Sequence, residues 1–185
     1  MANSLVSRMV RAAKLDVNLY EEVEADSKAN GQAFQAVLIA SVASGLGSGI
    51  AALRVEGGSA FVWALIGGIL AAIAGWVTWS FFAYWLGTKV FKGPETSATY
   101  GELLRTIGFS NSPRVLSFFS FIPFLGTLIA FAVSVWALIA GVIAVRQALD
   151  FSTGRALATC MVGWITYMVL VFLVQGLLLG GSSLF

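Results

Sequence analysis

The chain has 185 residues, of which 58% are hydrophobic and 11% are charged, and its formal net charge is +2. A soluble domain has about 25% charged and at most about 50% apolar residues, so this composition excludes the soluble globular and the disordered classes. The small net charge also gives no reason to expect a nucleic-acid partner. The sequence therefore predicts an all-α protein, a polytopic helical bundle in a membrane.

Histidine and cysteine, which supply many catalytic and metal-binding groups, are rare in this chain. It has no histidine and one cysteine, Cys160. This excludes histidine-based triads, histidine-ligated haem or zinc, and an intrachain disulfide. We therefore expect no enzyme activity, no cofactor and no metal site, and we interpret Cys160 as a packed thiol within an apolar run.

The N-terminal part predicts an amphipathic helix at the membrane surface. Between Ser4 and Val17 the apolar and the basic side chains fall on opposite faces of a helix. Arg8, Arg11 and Lys14 form the basic face, which is typical of helices that lie among anionic lipid headgroups. A helix that only packs beneath the bundle would show the same pattern, so both interpretations stay open.

Four apolar runs are long enough to cross a bilayer core, which takes about 20 residues. None of them contains Asp, Glu, Lys or Arg, and charged residues appear only just beyond their ends. The four runs are Ala33–Leu53, Ala60–Gly87, Phe124–Val145 and Ala156–Leu179.

The stretch Leu103–Phe121 predicts a further, broken membrane segment, the third of five. Arg105, Gly108, Pro113 and Arg114 interrupt its apolar residues. Irregular backbone at membrane depth has to pack against protein or face water. The alternative is a hairpin at the cytoplasmic surface that never crosses the membrane.

The placement of charge favours five spans. With the N-terminus in the cytoplasm and the C-terminus outside, every Lys and Arg except Arg54 lies on the cytoplasmic side, as the positive-inside rule predicts. The chain then divides into a cytoplasmic and interfacial segment 1–32, a five-span domain 33–180 and a short non-cytoplasmic tail 181–185. We expect this protein in the bacterial inner membrane.

Charged residues near the broken segment predict a polar network on the cytoplasmic face. Glu102 and Arg105 are spaced i, i+3, and Arg146 and Asp150 are spaced i, i+4. Each pair can therefore meet on one face of a helix, and Arg114 and Arg155 add two further cations. The network would clamp the broken segment to the loop between the last two spans, or form a recognition surface for a protein or a lipid headgroup.

The stretch from Tyr100 to Pro113 resembles the middle motif of the Yip family of Ypt/Rab-interacting membrane proteins. Members of this family carry a glycine–aromatic pair followed shortly by proline, which here are Gly108, Phe109 and Pro113. Other similar positions are Pro123, Trp136 and the stretch from Arg146 to Leu157. The resemblance covers about residues 33–180 and implies a five-span protein with a cytoplasmic N-terminus.

Eukaryotic members of the Yip family bind small GTPases and shape membranes in vesicle traffic. This chain lacks their Asp-Leu-Tyr-Gly-Pro motif, so the resemblance is closer to prokaryotic members and does not extend to GTPase binding.

We interpret the chain as a non-enzymatic membrane scaffold or an accessory subunit of a membrane assembly. Its partners would be the lipid bilayer and either another membrane protein or a second copy. Small residues recur at four-residue spacing, as at Ser41, Gly45 and Gly49, and such ridges pack helices either within one chain or between two copies. The broken segment suggests an alternative, a channel or transporter for small solutes. The amphipathic helix suggests another, a membrane-shaping or lipid-handling protein.

Overall fold

The computed structural model describes residues 4–93 and 96–181, and all regular secondary structure within these two ranges is helical. The α-helices are α1 (Leu5–Ala13), α2 (Val17–Ala25), α3 (Asn30–Glu56), α4 (Gly58–Trp85), α5 (Tyr100–Ser110), α6 (Leu125–Ala148) and α7 (Thr153–Gly181). The all-α prediction is confirmed. The predicted tail 181–185 lies outside the described residues apart from its first residue, which ends α7.

The N-terminal segment forms two short helices, not the single helix predicted over Ser4–Val17. The Ser4 hydroxyl caps α1 by accepting a hydrogen bond from a backbone amide at 3.3 Å, and the Asp16 carboxylate caps α2 in the same way at 3.1 Å. Between them, Leu15 has a φ of 61°. This left-handed conformation is incompatible with a continuous α-helix, so α1 ends at Ala13.

Helices α3 and α4 form an antiparallel hairpin. Gly57 joins them with a φ of 90°, which glycine adopts without strain. Gly45 of α3 lies against Leu65 of α4, and a Cβ on Gly49 would lie 2.9 Å from the Phe61 ring. The ridge of small residues on α3 therefore packs within the chain.

The stretch Leu103–Phe121 is broken where the sequence predicts a break. α5 ends at Ser110, and a 3₁₀ helix of 10 residues follows from Ser112 to Phe121. We call this helix the 3₁₀ segment. Pro113 lies in its first turn, where proline's missing amide proton leaves no helical hydrogen bond unmade.

α5 and the 3₁₀ segment run beside α3 in the same direction as α3. Successive residues of α5 and the 3₁₀ segment contact successive residues of α3. The contacting pairs are Arg105 with Asn30, Gly108 with Ala33, Arg114 with Ser44, Ser117 with Gly47, and Phe121 with Arg54. From Asn30 to Arg54, α3 rises about 36 Å at 1.5 Å per residue, and a bilayer core is about 30 Å thick.

α6 returns antiparallel to the 3₁₀ segment. Gly126, near the start of α6, lies directly against the backbone of Ser120, whereas Leu149, just after its end, belongs to the core around α5. Pro123 and Phe124 form the turn before α6, and Phe124 is fully exposed with a φ of 66°.

α7 runs beside α6 and α4, and Gly163 of α7 packs against the Trp79 ring of α4. Three stretches among the described residues have the length and composition of a membrane span, namely Ser27–Arg54, Phe61–Val90 and Leu125–Ala148. They correspond to three of the four long apolar runs. The structure therefore shows a helical bundle with three candidate spans.

The core lies around α5, and the N-terminal helices are part of it. Leu103 and Phe109 of α5 are fully buried, as are Leu19 and Tyr20 of α2. α2 contacts both α5 and α6, and α1 contacts α5 and the 3₁₀ segment. The two N-terminal helices are thus packed against α5, α6 and the 3₁₀ segment.

Gly108→Ala should destabilise the bundle by about 1–3 kcal/mol, the usual cost of overpacking a core. A Cβ on Gly108 would lie 2.8 Å from the Cβ of Ala33 and 3.2 Å from its carbonyl oxygen. Thermal unfolding in detergent measures the change. Gly31→Ala is the matched control, because a Cβ there meets no described atom within 4 Å and alanine favours the helix. Equal unfolding temperatures for the two variants would contradict the prediction.

Candidate functional site

Arg105 is the buried cation at the centre of the bundle. Its Nε donates a hydrogen bond to the carbonyl of Val23 at 2.8 Å, its Nη2 donates to the carbonyl of Glu24, and its Nη1 donates to Asn30 Oδ1 at 3.3 Å. Only 6% of Arg105 is exposed. Arg105 therefore joins α5 to the end of α2 and the start of α3.

Glu102 does not pair with Arg105, contrary to the prediction from their spacing. Its carboxylate accepts a hydrogen bond from the Thr99 amide at 2.8 Å, and its own amide donates to the Thr99 hydroxyl at 3.4 Å. These two bonds form a capping box that satisfies free amides at the start of α5. The cap and the carbonyls of α2 thus replace the predicted ion pair.

The predicted pair Arg146–Asp150 is not formed either. α6 ends at Ala148, and Asp150 has a φ of 51°, so the helical geometry on which i, i+4 pairing depends stops between the two residues. Both side chains are exposed. Arg155 is also exposed, and its guanidinium lies against Gly93 in the segment after α4.

Arg8 lies inside the protein and not among lipid headgroups. Its guanidinium donates to Glu22 Oε1 at 3.0 Å, to Asp26 Oδ2 at 2.8 Å and to Gln32 Oε1 at 2.9 Å. The side chain is 3% exposed. The structure therefore places Arg8 where it holds α1 to α2 and to the start of α3.

Arg11 extends the same cluster. Its Nε donates to Asp16 Oδ2 at 2.8 Å, and its Nη1 donates to Glu22 Oε2 at 2.6 Å. Hydrogen bonding to Arg11 lowers the pKa of both the Glu22 and the Asp16 carboxyl groups. The acidic stretch that follows the basic helix in the sequence is the signal that indicates this pairing.

The exposed face of α1 is apolar, with Lys14 at its end. Val6 is 69% exposed and Val10 is 48% exposed. Lys14 is exposed, and its side chain has no hydrogen bond or ion pair with any described residue. Of the three basic residues predicted to meet the lipid surface, Lys14 is thus the one that points outward without a partner.

Glu24 lies half-buried among like charges. Burial raises its pKa to about 7, with the negative charges of Asp150, Glu102 and Glu21 acting in the same direction and Arg105 acting against them. Arg105 contacts the Glu24 backbone carbonyl but not its carboxylate. Several carboxylates therefore act on Glu24, but the ion pairs of the predicted polar network are not formed among the described residues.

The remaining predicted site residues make contacts within the bundle or form its turns. The Tyr100 hydroxyl donates to the Val77 carbonyl at 3.0 Å and so ties α5 to α4. Gly108 allows α5 to approach α3, and Pro113 is fully buried. The Pro123 carbonyl accepts the amide of Leu125 at 2.8 Å in the turn before α6.

Arg114 is exposed beside the middle of α3. Its carbonyl accepts a hydrogen bond from the Ser44 hydroxyl at 3.3 Å. Its guanidinium has no hydrogen bond or ion pair with a described residue, and its side chain is exposed. The predicted clamp to the loop between the last two spans is therefore not made by Arg114.

Two tryptophans join elements that sequence reasoning left unconnected. Trp136 of α6 donates from Nε1 to the carbonyl of Ala13 at 2.8 Å, and Trp76 of α4 donates to the carbonyl of Leu104 at 2.9 Å. A backbone carbonyl has no sequence signature, so no pattern could have indicated these bonds.

A known family of proteins matches most of this chain. The Yip1 domain family model matches residues 19–175. The chain belongs to the Yip1 family. It has no significant match among curated proteins or solved structures.

The family match includes α2, which lies before residue 33, where the resemblance in sequence begins. This agrees with the structure, since Leu19 and Tyr20 are part of the core. The Yip1 family consists of membrane proteins that are not known as enzymes. The chain is accordingly an integral membrane protein that contacts lipid.

Glu24→Gln should remove part of the pH dependence of stability. The pKa of Glu24 is near 4.5 when unfolded and about 7 when folded, so the folded state binds the extra proton and wild-type stability falls as pH rises between these values. The neutral variant should match wild type at pH 4 and exceed it at pH 8 by about 1 kcal/mol, allowing for solvent screening. Thermal unfolding against pH measures this, and superimposable profiles would contradict it.

Proposed function

We propose that this Yip1 family protein is a non-enzymatic scaffold or accessory subunit of a membrane assembly. The observation that carries the proposal is that its buried charged groups bind other parts of the same chain. Arg105 is bonded to the backbone of α2 and to Asn30, and Arg8 is bonded to Glu22 of α2 and to Asp26 just after it. Such bonds support a rigid architecture, and among the described residues they engage both buried arginines, Arg8 and Arg105.

The outer surface of the bundle is consistent with this role. In the most apolar 18-residue stretch of Phe61–Val90 no residue is buried, and Trp63 is 74% exposed. Aromatic side chains such as Trp63 are enriched in protein–protein contacts. A channel or transporter has less support, because the groove beside Trp79 and Phe82 and the groove beside Leu116 and Trp136 are both lined by apolar groups.

A membrane-shaping or lipid-handling role is a second candidate, and the exposed valines of α1 favour it. A helix with an apolar outer face can insert shallowly between lipids. Val6 and Val10 would enter the acyl region while Arg8 and Arg11 stay bound to α2.

For the topology we propose five spans, with the N-terminus in the cytoplasm, the C-terminus outside and the bacterial inner membrane as the location. The support is that α5 and the 3₁₀ segment accompany α3 from Asn30 to Arg54. That length exceeds the thickness of a bilayer core. α6 and α7 then form the fourth and fifth passes.

Cysteine labelling should distinguish five spans from four. In a Cys160→Ala background, an impermeant thiol reagent added from outside should label Ser59→Cys and Phe124→Cys but not Ser152→Cys. All three positions are exposed and lie at or next to the ends of the long helices. If Leu103–Phe121 does not cross, Phe124→Cys would be protected and Ser152→Cys labelled. Permeabilised cells provide the control in which all three react.

Extraction of the full chain in mild detergent should recover a complex of defined mass that contains a second membrane protein. Size-exclusion chromatography with light scattering measures the mass, and protein mass spectrometry identifies the components. A monodisperse single chain with no partner would contradict the scaffold proposal. A pure homo-oligomer would limit it to self-assembly.

A further inference from the structure

An apolar groove lies between the 3₁₀ segment and α6. It has a volume of about 310 Å³, and Leu116 and Phe119 line one wall while Ile129, Ala132 and Trp136 line the other. Because the two elements are antiparallel, Leu116 and Trp136 lie at the same end of the groove. We call this end the inner end, since it is nearest the N-terminal helices.

Two basic residues are close in the chain to residues at the inner end of the groove. Arg114 precedes Leu116 by two residues on the 3₁₀ segment. Lys14 follows Ala13, whose carbonyl accepts the hydrogen bond from Trp136 at 2.8 Å. Neither side chain has a hydrogen bond or ion pair with a described residue, and both are exposed.

Arg114 is also level with the middle of α3. Its carbonyl is bonded to Ser44, which lies about 21 Å along α3 from Asn30 and about 15 Å from Arg54. A charged side chain at such a depth is costly unless an anion or water reaches it. A long arginine side chain can extend toward the headgroup region and meet an anion there.

We propose that this groove binds one anionic phospholipid from the leaflet on which α1 lies. The phosphate would lie between Arg114 and Lys14, and one acyl chain would follow the groove from Leu116 toward Ile129. Charge complementarity supports a lipid, since a phosphate can accept bonds from two cations at once. The groove itself has no polar surface, which suits an acyl chain.

This site goes beyond the scaffold role and does not depend on it. Only the identity of the leaflet, which is the cytoplasmic one in the proposed orientation, rests on the topology. The alternative occupant is a carboxylate from a transmembrane helix of another protein, and the experiment separates the two.

The test titrates the full chain in mild detergent with dioleoyl phosphatidylglycerol or dioleoyl phosphatidylcholine and counts bound lipids by native mass spectrometry. Phosphatidylglycerol should bind about tenfold more tightly than phosphatidylcholine. Arg114→Gln and Lys14→Gln should each raise its Kd about tenfold, as expected for the loss of one charged hydrogen bond. Lys92→Gln is the control, since it removes the same charge from another exposed position.

A second pair of variants tests the groove. Ala132→Phe should fill it and weaken the binding of both lipids, whereas Ile139→Phe, at a lipid-facing position of α6 outside the lining, should leave both unchanged. Circular dichroism confirms that each variant is folded.

Several outcomes would overturn the proposal. These are equal binding of the two lipids, unchanged phosphatidylglycerol binding by Arg114→Gln, and an equal loss with Lys92→Gln. A membrane protein that copurifies with wild type but not with Arg114→Gln, without any change in lipid binding, would show that a partner's carboxylate occupies the position.

Discussion

The close approach of α5 and the 3₁₀ segment to α3 is the contact on which the rest of the bundle depends. Gly108 and Gly47 make it possible, because a Cβ at either position would collide with the facing chain. The approach places α5 at the centre, in contact with α1, α2, α3, α4 and α6. Arg105 can then reach the carbonyls of α2, and α6 can return beside the 3₁₀ segment. Two residues without side chains thus determine the position of a much larger set of contacts.

At the N-terminal end, the arginine side chains bind acceptors within the same chain. Both arginines of α1 pair with Glu22 of α2, and Arg105 binds carbonyls at the end of the same helix. A buried arginine without such acceptors would be strongly destabilising. The N-terminal helices therefore complete the membrane domain. Lys14 and Arg114 flank the groove beside α6, and the described part of the chain provides no hydrogen-bond acceptor for either side chain.

The long helices and the break at Pro113 could be predicted, because both depend on local features, namely apolar length and a residue without an amide proton. The partners of the charged residues could not. Spacing suggested Glu102 for Arg105, but a capping box and distant backbone carbonyls compete for the two side chains. The basic face of α1 had the composition of a lipid-binding helix, and the acidic face of α2 binds two of its three cations. Periodicity shows which residues share a face of one helix. It does not show which groups of other helices bind those residues.

The bonds of Arg105 also have a consequence for biosynthesis. A segment that contains two arginines enters lipid poorly when it is alone, at about 2.5–3.5 kcal/mol for each arginine near the centre of a helix. The acceptors of Arg105 lie on α2 and at the start of α3, which leave the ribosome before α5 does. The hydrogen-bond acceptors for Arg105 of the broken segment are therefore synthesised before the segment itself. We expect the translocon to release α5 and the 3₁₀ segment against α3, so that the order of the elements along the chain is also their order of assembly.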